Sequence, residues 1–270
     1  MNQLRAALKV DNDVALDVAA LEMAAIDNPN VDPTRYVSML DQIASDLEAR
    51  LPDPCDGPQF IQAANQYLFD ELGFSGNESA YYDPRNSCLD QVLERRTGIP
   101  ITLSVVYIEV ARRLGRPVSG IGLPGHFVIR YDDSQYSTYI DPFHRGLLLT
   151  EKDCRELASE ITGEQQVEAS ALAAVGNRYI LVRMLNNLRS AYFRSKQYGK
   201  VATVMDLLVE AFPANAEYYK ARGVARAHLR QLTGAKRDLE TYLSNSPEAE
   251  DRKEITEQLE IIHRWLGRLN

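Results

Sequence analysis

The chain has 270 residues, 45% of them hydrophobic and 25% charged, enough for one large or two to three small domains of ordinary globular composition. No apolar run approaches the roughly 18 residues that a membrane span needs, and the opening "MNQLRAALKVDNDVALDV" carries acids where a signal peptide needs a basic start, so a cytoplasmic protein with no membrane contact is expected. The formal charge of −8 runs from −10 over residues 1–80 through −2 over 81–165 to +4 over 166–270, and a chain this acidic is repelled by phosphate backbones, which argues against nucleic-acid binding.

From Val14 to about Leu51 apolar residues recur at helical spacing: Leu16, Ala19, Ala20 and Met23, then Tyr36, Met39, Leu40, Ile43 and Leu47. The interruption "DNPNVDPTR" makes this a helical hairpin. "QFIQAANQYLFDELGF" predicts another amphipathic helix, ended by Gly73. "NSCLDQVLERRTGIP" opens on Asn86 and Ser87 as caps, has Asp90 in its first turn and is expected to stop at Gly98. "ITLSVVYIEVARRLG" is apolar on nearly every side up to Arg112, the mark of a helix buried by its neighbours, and Pro100 suits its first turn. Arg95, Arg96, Arg112 and Arg113 end these two helices, where cations complement the exposed carbonyls, so capping accounts for them without a ligand.

After Gly115, "PVSGIGLPGHFVIRY" and "QYSTYIDPF" read as two strands, rich in β-branched and aromatic residues and joined by the polar turn "DDSQ". Hairpin pairing sets the start of one strand opposite the end of the other, which predicts His126 and Asp141 within hydrogen-bonding reach. His144, three residues on, is expected to be exposed in a turn. Cys55, Cys88 and Cys154 are odd in number, widely spaced and without a CxxC pair, which argues against a disulfide framework or a zinc site. No metal and no cofactor is expected.

From about residue 175 the pattern is entirely helical. The stretch "ITGEQQVEASALAAVG" before it has few Gly or Pro, so no long flexible linker is predicted. Pro213 and Pro247 lie 34 residues apart, the tetratricopeptide period. That register puts Leu188 and Tyr192 on the packing positions of one first helix and Gly223, Ala235 and Leu239 on the small and large positions of the next unit. Arg189 stands where Gly223 stands, and Val201 where Ala235 stands. Two degenerate repeats and a closing helix over roughly Asp251 to Leu266 are predicted. His228 and His263 sit on these helices as ordinary packing or surface residues.

The run from "YYDPRNSCLDQVLERRTGIPITLS" through "GLPGHFVIRY" and "YIDPF" to the repeats "MLNNLRSAY" and "ARGVARAHL" resembles the bacterial SirB-type family, a transglutaminase-like core followed by a tetratricopeptide tail. The resemblance covers nearly the whole chain from Val14 on. It implies an α+β protein: a helical N-terminal layer over residues 1–75, a transglutaminase-like (papain-like) core with a small antiparallel sheet over 76–170, and all-α repeats over 171–270.

Active members of the transglutaminase-like superfamily use Cys, His and Asp in that order, with the thiol at the start of the central helix, where the dipole and the imidazole both favour thiolate. His126 and Asp141 match the second and third members. The nucleophile position then falls on Ile101 or Thr102, and neither is a cysteine. Cys88, near the start of the preceding helix, is the alternative nucleophile, although the favoured account of it is a small semi-buried apolar residue. Thr102 and Ser104 offer hydroxyls, which near a helix start usually bond back to the backbone.

The expected function is a transglutaminase-like scaffold without its thiol, binding a protein or peptide through the repeats, whose concave face would carry Arg183, Asn186 and Lys220. The competing expectation is a hydrolase or transferase with His126, oriented by Asp141, as general base, or a cysteine peptidase-like enzyme using Cys88.

Overall fold

The computed structural model describes residues 1–9, 15–163 and 168–267. Val14 and residues 164–167 of the predicted connection lie outside the described residues. The chain divides into two compact units, Met1–Met184 and Leu185–Asn270. Among the described residues no helix is long and apolar enough to cross a membrane.

The first unit opens with α1 (Asn2–Lys9), which the composition of the N-terminus did not flag, followed by the predicted hairpin as α2 (Leu16–Ala24) and α3 (Pro33–Glu48). Asp32 starts α3 by accepting from the Thr34 N–H, and Asp56 and Gln59 form a reciprocal capping box on α4 (Gly57–Asn65). Both are the sequence signals that open helices after polar turns. A π-helical turn over Gln66–Glu71 extends α4 before Gly73 turns the chain at φ +77°.

Helix α5 (Leu89–Arg95) differs from its sequence reading at both ends. Asn86 and Ser87 belong to a 3-10 turn, Pro84–Ser87, and Cys88 takes the N-cap position without a side-chain cap bond. At the other end Arg96 adopts a left-handed conformation at φ 54°, so the helix stops before Gly98. The freed stretch Thr97–Gly98 becomes β2 and pairs in parallel with β1 (Ser75–Gly76).

Every residue of α6 (Pro100–Arg113) from Pro100 to Ala111 is buried, as an all-round apolar helix requires. Its C-terminal arginines do more than cap. Arg113 pairs with buried Asp17 and Glu109 and with Asp41, and Arg112 pairs with Glu109 at 2.6 Å. Asp17 and Glu109 are fully enclosed while Asp41 is exposed, and through Asp17 and Asp41 the network ties α6 to α2 and α3.

The two predicted strand segments hold three strands, and a fourth follows them. The turn at Pro124–Gly125 splits the first into β3 (Val118–Ile121) and β4 (Val128–Asp132); β5 (Ser137–Asp141) and β6 (Leu147–Leu149) follow. With β7 (Ala174–Val175) they form one antiparallel sheet in the order β6-β5-β4-β3-β7. Helix α7 (Glu151–Thr162), opened by a Thr150–Asp153 capping box, closes a core of Ile121, Leu123, Val128, Cys154, Ala158 and Leu172.

Helix α8 (Asn177–Arg194) gives residues 177–184 to the first unit and 185–194 to the second. The second unit continues with α9 (Tyr198–Ala211), α10 (Ala216–His228), α11 (Leu232–Asn245) and α12 (Arg252–Gly267). Its backbone repeats at 34 residues more faithfully than its sequence. Lys196 and Arg230 turn at φ 57° and 58°, and the N–H of Gln197 bonds to Tyr192 O as that of Gln231 bonds to Arg226 O. Leu188, Tyr192 and Val201 are buried as predicted, and Gly223 lies so near Leu239 that a Cβ would stand 2.9 Å from it.

Candidate functional site

The β4–β5 register pairs Ile129 with Ile140, which brings the chain just before β4 alongside Asp141. His126 therefore meets Asp141, with Nε2 2.8 Å from Oδ2, although His126 lies in the loop entering β4 rather than on a strand. The loop is tightly built. Gly125 is left-handed at φ +72°, a Cβ there would stand 2.2 Å from Ile161, and the His126 N–H donates to Leu123 O. "LPGH" thus needs its glycine both for the turn and for the space.

A second imidazole joins the pair. After Asp141 the chain turns back, with the Gly146 N–H donating to Asp141 O at 2.8 Å, and His144 Nδ1 comes to 2.8 Å from the same Oδ2. The other carboxylate oxygen, Oδ1, accepts from the N–H groups of Phe143 and His144. Asp141 is 1% exposed. Burial pushes its carboxyl up, yet the bonds from His126 and His144 outweigh burial and leave it below the usual carboxylate range. The side chain of His144 is 44% exposed, so the cluster has one enclosed and one open side. His144 is exposed in a turn, and its ring is in addition bound to Asp141.

Phe143 stands edge-on to both imidazoles, with centroids 6.1 and 5.1 Å away, and Tyr81 stands edge-on to Phe143 at 6.1 Å. Gly76 makes room for this ring, since a Cβ there would lie 2.6 Å from it. Arg183 reaches the same loop. Its Nη2 donates to Leu123 O at 2.7 Å and to His126 O, and its guanidinium lies 5.5 Å from the Phe127 ring centre. The cation read as facing a peptide groove thus holds the backbone that carries His126. Lys220, in the second unit, pairs with Glu217 and Asp251 at 2.6 and 3.0 Å; Asn186 is half-buried there.

The start of α6 is built differently. Ile101 is buried, and the Thr102 hydroxyl has three backbone neighbours: it lies 2.7 Å from Asn86 O and 3.1 Å from Ile99 O, and accepts from the Ile99 N–H at 3.1 Å. Gly98 lets this happen, because a Cβ there would press on Thr102 Oγ1 at 2.8 Å. Asn86 in turn donates to Ala80 O and Tyr81 O. Ser104 is buried with its hydroxyl unpartnered among the described residues. Cys88 is buried at the head of α5 and Cys154 on the buried face of α7, where burial and then the neighbouring carboxylates push its thiol up to about 12.

Sequence reasoning missed His144 as a member, Phe143 and Tyr81 as the ring wall, and Arg183 as the loop's anchor. An Asp whose N–H partners follow two and three residues later is an Asx-turn signal, and "DPFH" carries it. Arg183, 57 residues from His126 along the chain, had no local signal.

Residues 34–186 match the model of the transglutaminase-like superfamily, and residues 188–260 match a tetratricopeptide-repeat model. A UPF0162 protein of Xylella fastidiosa (strain Temecula1) is 38% identical over 241 residues, covering 88% of this chain and 86% of that protein. Mouse F-box only protein 21 is 36% identical over 166 residues, 57% of this chain but 26% of the longer protein. Protein SirB1 of Salmonella typhimurium is 22% identical over 248 residues, covering 91% of this chain and 90% of its own. The chain belongs to the transglutaminase-like superfamily, in the UPF0162 and SirB-type group that joins this core to tetratricopeptide repeats.

Proposed function

We propose that the chain is a non-catalytic transglutaminase-like scaffold, a cytoplasmic protein-binding protein that recognises a protein or peptide through its repeats and needs neither a membrane nor nucleic acid. The observation that carries this reading is the start of α6, where Ile101 is packed in the core and the Thr102 hydroxyl is consumed by backbone groups. An acyl-thioester has no atom to form on there. Repeat stacks of this kind generally receive peptides or other domains, and in F-box only protein 21 the matched region is one part of a longer chain.

The test is enzymatic. The purified chain is offered a fluorescent primary amine with glutamine-bearing peptides, and separately peptide amides, before and after alkylation. Incorporation and hydrolysis at the level of a heat-treated control are expected. Turnover lost on alkylation and absent from Cys88→Ala would overturn the scaffold reading in favour of a cysteine enzyme.

One observation favours a second reading. Asp141 holds His126 in the orientation a general base requires, and the neighbouring His144 opens to solvent. A hydrolase or transferase of this type would turn over without any thiol, and alkylation-resistant activity lost in His126→Gln is its signature.

A further inference from the structure

The same three side chains that a scaffold would use only as a brace offer a convergent donor set. His126 Nε2, Asp141 Oδ2 and His144 Nδ1 all lie within 4.8 Å of one another. The geometry points to a divalent-cation site of the zinc type at His126, Asp141 and His144. It stands or falls apart from the scaffold reading, since a bound ion is compatible with binding and with catalysis alike.

Two imidazole nitrogens and one carboxylate oxygen form a borderline set, suited to zinc and its first-row neighbours rather than to magnesium or calcium, which take oxygen ligands. Zinc at about 2.0 to 2.1 Å from each donor in a tetrahedral arrangement sets the donors about 3.3 Å apart. Both nitrogens now stand 2.8 Å from the oxygen, so each separation must open by about half an ångström. His144 has the freedom to open its own separation, being half-exposed and in a turn rather than a strand, and the His126 separation opens by a small shift of the loop entering β4.

The rest of the cluster is arranged as the surroundings of a metal site usually are. The carboxylate that would ligate through Oδ2 is fixed by two backbone N–H groups on Oδ1. The loop that carries His126 is fixed by Arg183 on the Leu123 and His126 carbonyls. Such outer bonds orient ligands and are worth about 10- to 100-fold in affinity. Three protein ligands with solvent access at His144 leave a fourth position for water or a substrate group. Absence of a cysteine pair was the sequence argument against zinc, but this set needs no cysteine.

Tag-free full-length protein, stripped with chelator, is titrated with Zn²⁺ by calorimetry and with Co²⁺ by visible absorption. One saturable ion per chain is expected, with the d–d bands of a low-coordinate site. His144→Ala, chosen because its half-exposed ring leaves the core intact, and Asp141→Asn should each weaken Zn²⁺ by at least tenfold, while His263→Gln should bind as the parent does. No saturable binding by the parent, or His144→Ala binding as tightly as the parent, overturns the site.

Discussion

The start of α6 and the end of β5 are the two places where a transglutaminase-like fold assembles its chemistry, and in this chain they are built on opposite physical principles. At α6 the polar atoms are enclosed: the Thr102 hydroxyl bonds Asn86 O and the Ile99 backbone, and Ile101 fills space. At β5 polar atoms are gathered rather than neutralised in place, with two imidazoles sharing one oxygen of an enclosed carboxylate and one ring open to water. A hydroxyl whose single proton goes to a backbone carbonyl and which already accepts a backbone N–H has no proton left for a substrate, whereas an imidazole on a carboxylate still has its other nitrogen. The two halves are also physically connected. Asn86 bonds Thr102 on one side and Tyr81 O on the other, and the Tyr81 ring meets Phe143, which packs on both histidines. One packed chain of contacts therefore runs through both places.

The largest effect that can break this comparison is at Asp141. Asp141→Ala strips the acceptor from two ring N–H groups and two backbone N–H groups, and unsatisfied buried donors cost about 1 to 3 kcal/mol each when nothing replaces the partner. A loss of about 3 kcal/mol in urea-unfolding stability is expected, since His144 can turn to water and recover part. A loss under about 1 kcal/mol would mean that the cluster does not brace the sheet end at all.

The next test is Thr102→Val, which keeps the shape and removes the hydroxyl. Asn86 O loses its shortest partner and the Ile99 N–H keeps only a 3.4 Å contact to Asn86 O, so about 2 kcal/mol should be lost, while Thr102→Ser should recover most of it. A stable Thr102→Val would show that the hydroxyl is not structural, and the contrast with β5 would fail.

What could be read in advance follows the length scale of each signal. The long periodic helices and the 34-residue repeat were legible because many residues vote for one geometry, and the repeat survived even with Arg189 at the small position, since the turns at Lys196 and Arg230 are set by backbone rather than side chain. Strands β6 and β7, three and two residues long, show too little alternation to register, and the break between β3 and β4 hid inside a continuous apolar run whose "PG" was the clue. The His126–Asp141 contact followed from hairpin pairing. His144 did not, because its return to Asp141 depends on a turn whose N–H groups bind Oδ1. Arg183 was legible only as a cation on a helix; which carbonyls it meets is decided by the packing of α8 on the β3–β4 loop.

A cysteine placed at the start of α6 sharpens the comparison from the other side. Ile101→Cys removes buried volume and should cost about 1 to 2 kcal/mol. A helix start favours thiolate and burial disfavours it; with Ile101 1% exposed, burial should win. Alkylation of this thiol at pH 8 is expected to be slower than in an unfolded control. Faster labelling would mean that the site is open and poised, and that one substitution separates this chain from a working nucleophile.

The smallest effect concerns the cysteines already present, and it tests whether any of them stands in for the missing one. Cys55 is half-exposed, while Cys88 and Cys154 are buried. Burial, with Asp153, Asp141 and Glu151 nearby, pushes the Cys154 thiol up to about 12, from an ordinary value of about 8.5. A raised thiol favours the folded state below the ordinary value and loses that advantage as pH rises toward the folded one, because the unfolded chain ionises first. Cys154→Ala should therefore narrow the difference from the parent as pH climbs from about 8.5 to about 12, a comparison of unfolding midpoints at matched pH. In native labelling at pH 8 Cys55 should react first and nearly alone, and Cys55→Ala should remove most of the signal while changing stability by less than about 0.5 kcal/mol. If Cys88 labels ahead of Cys55, and loss of partner binding tracks that labelling, the chemistry did not leave the first unit when it left α6; it moved to the head of α5.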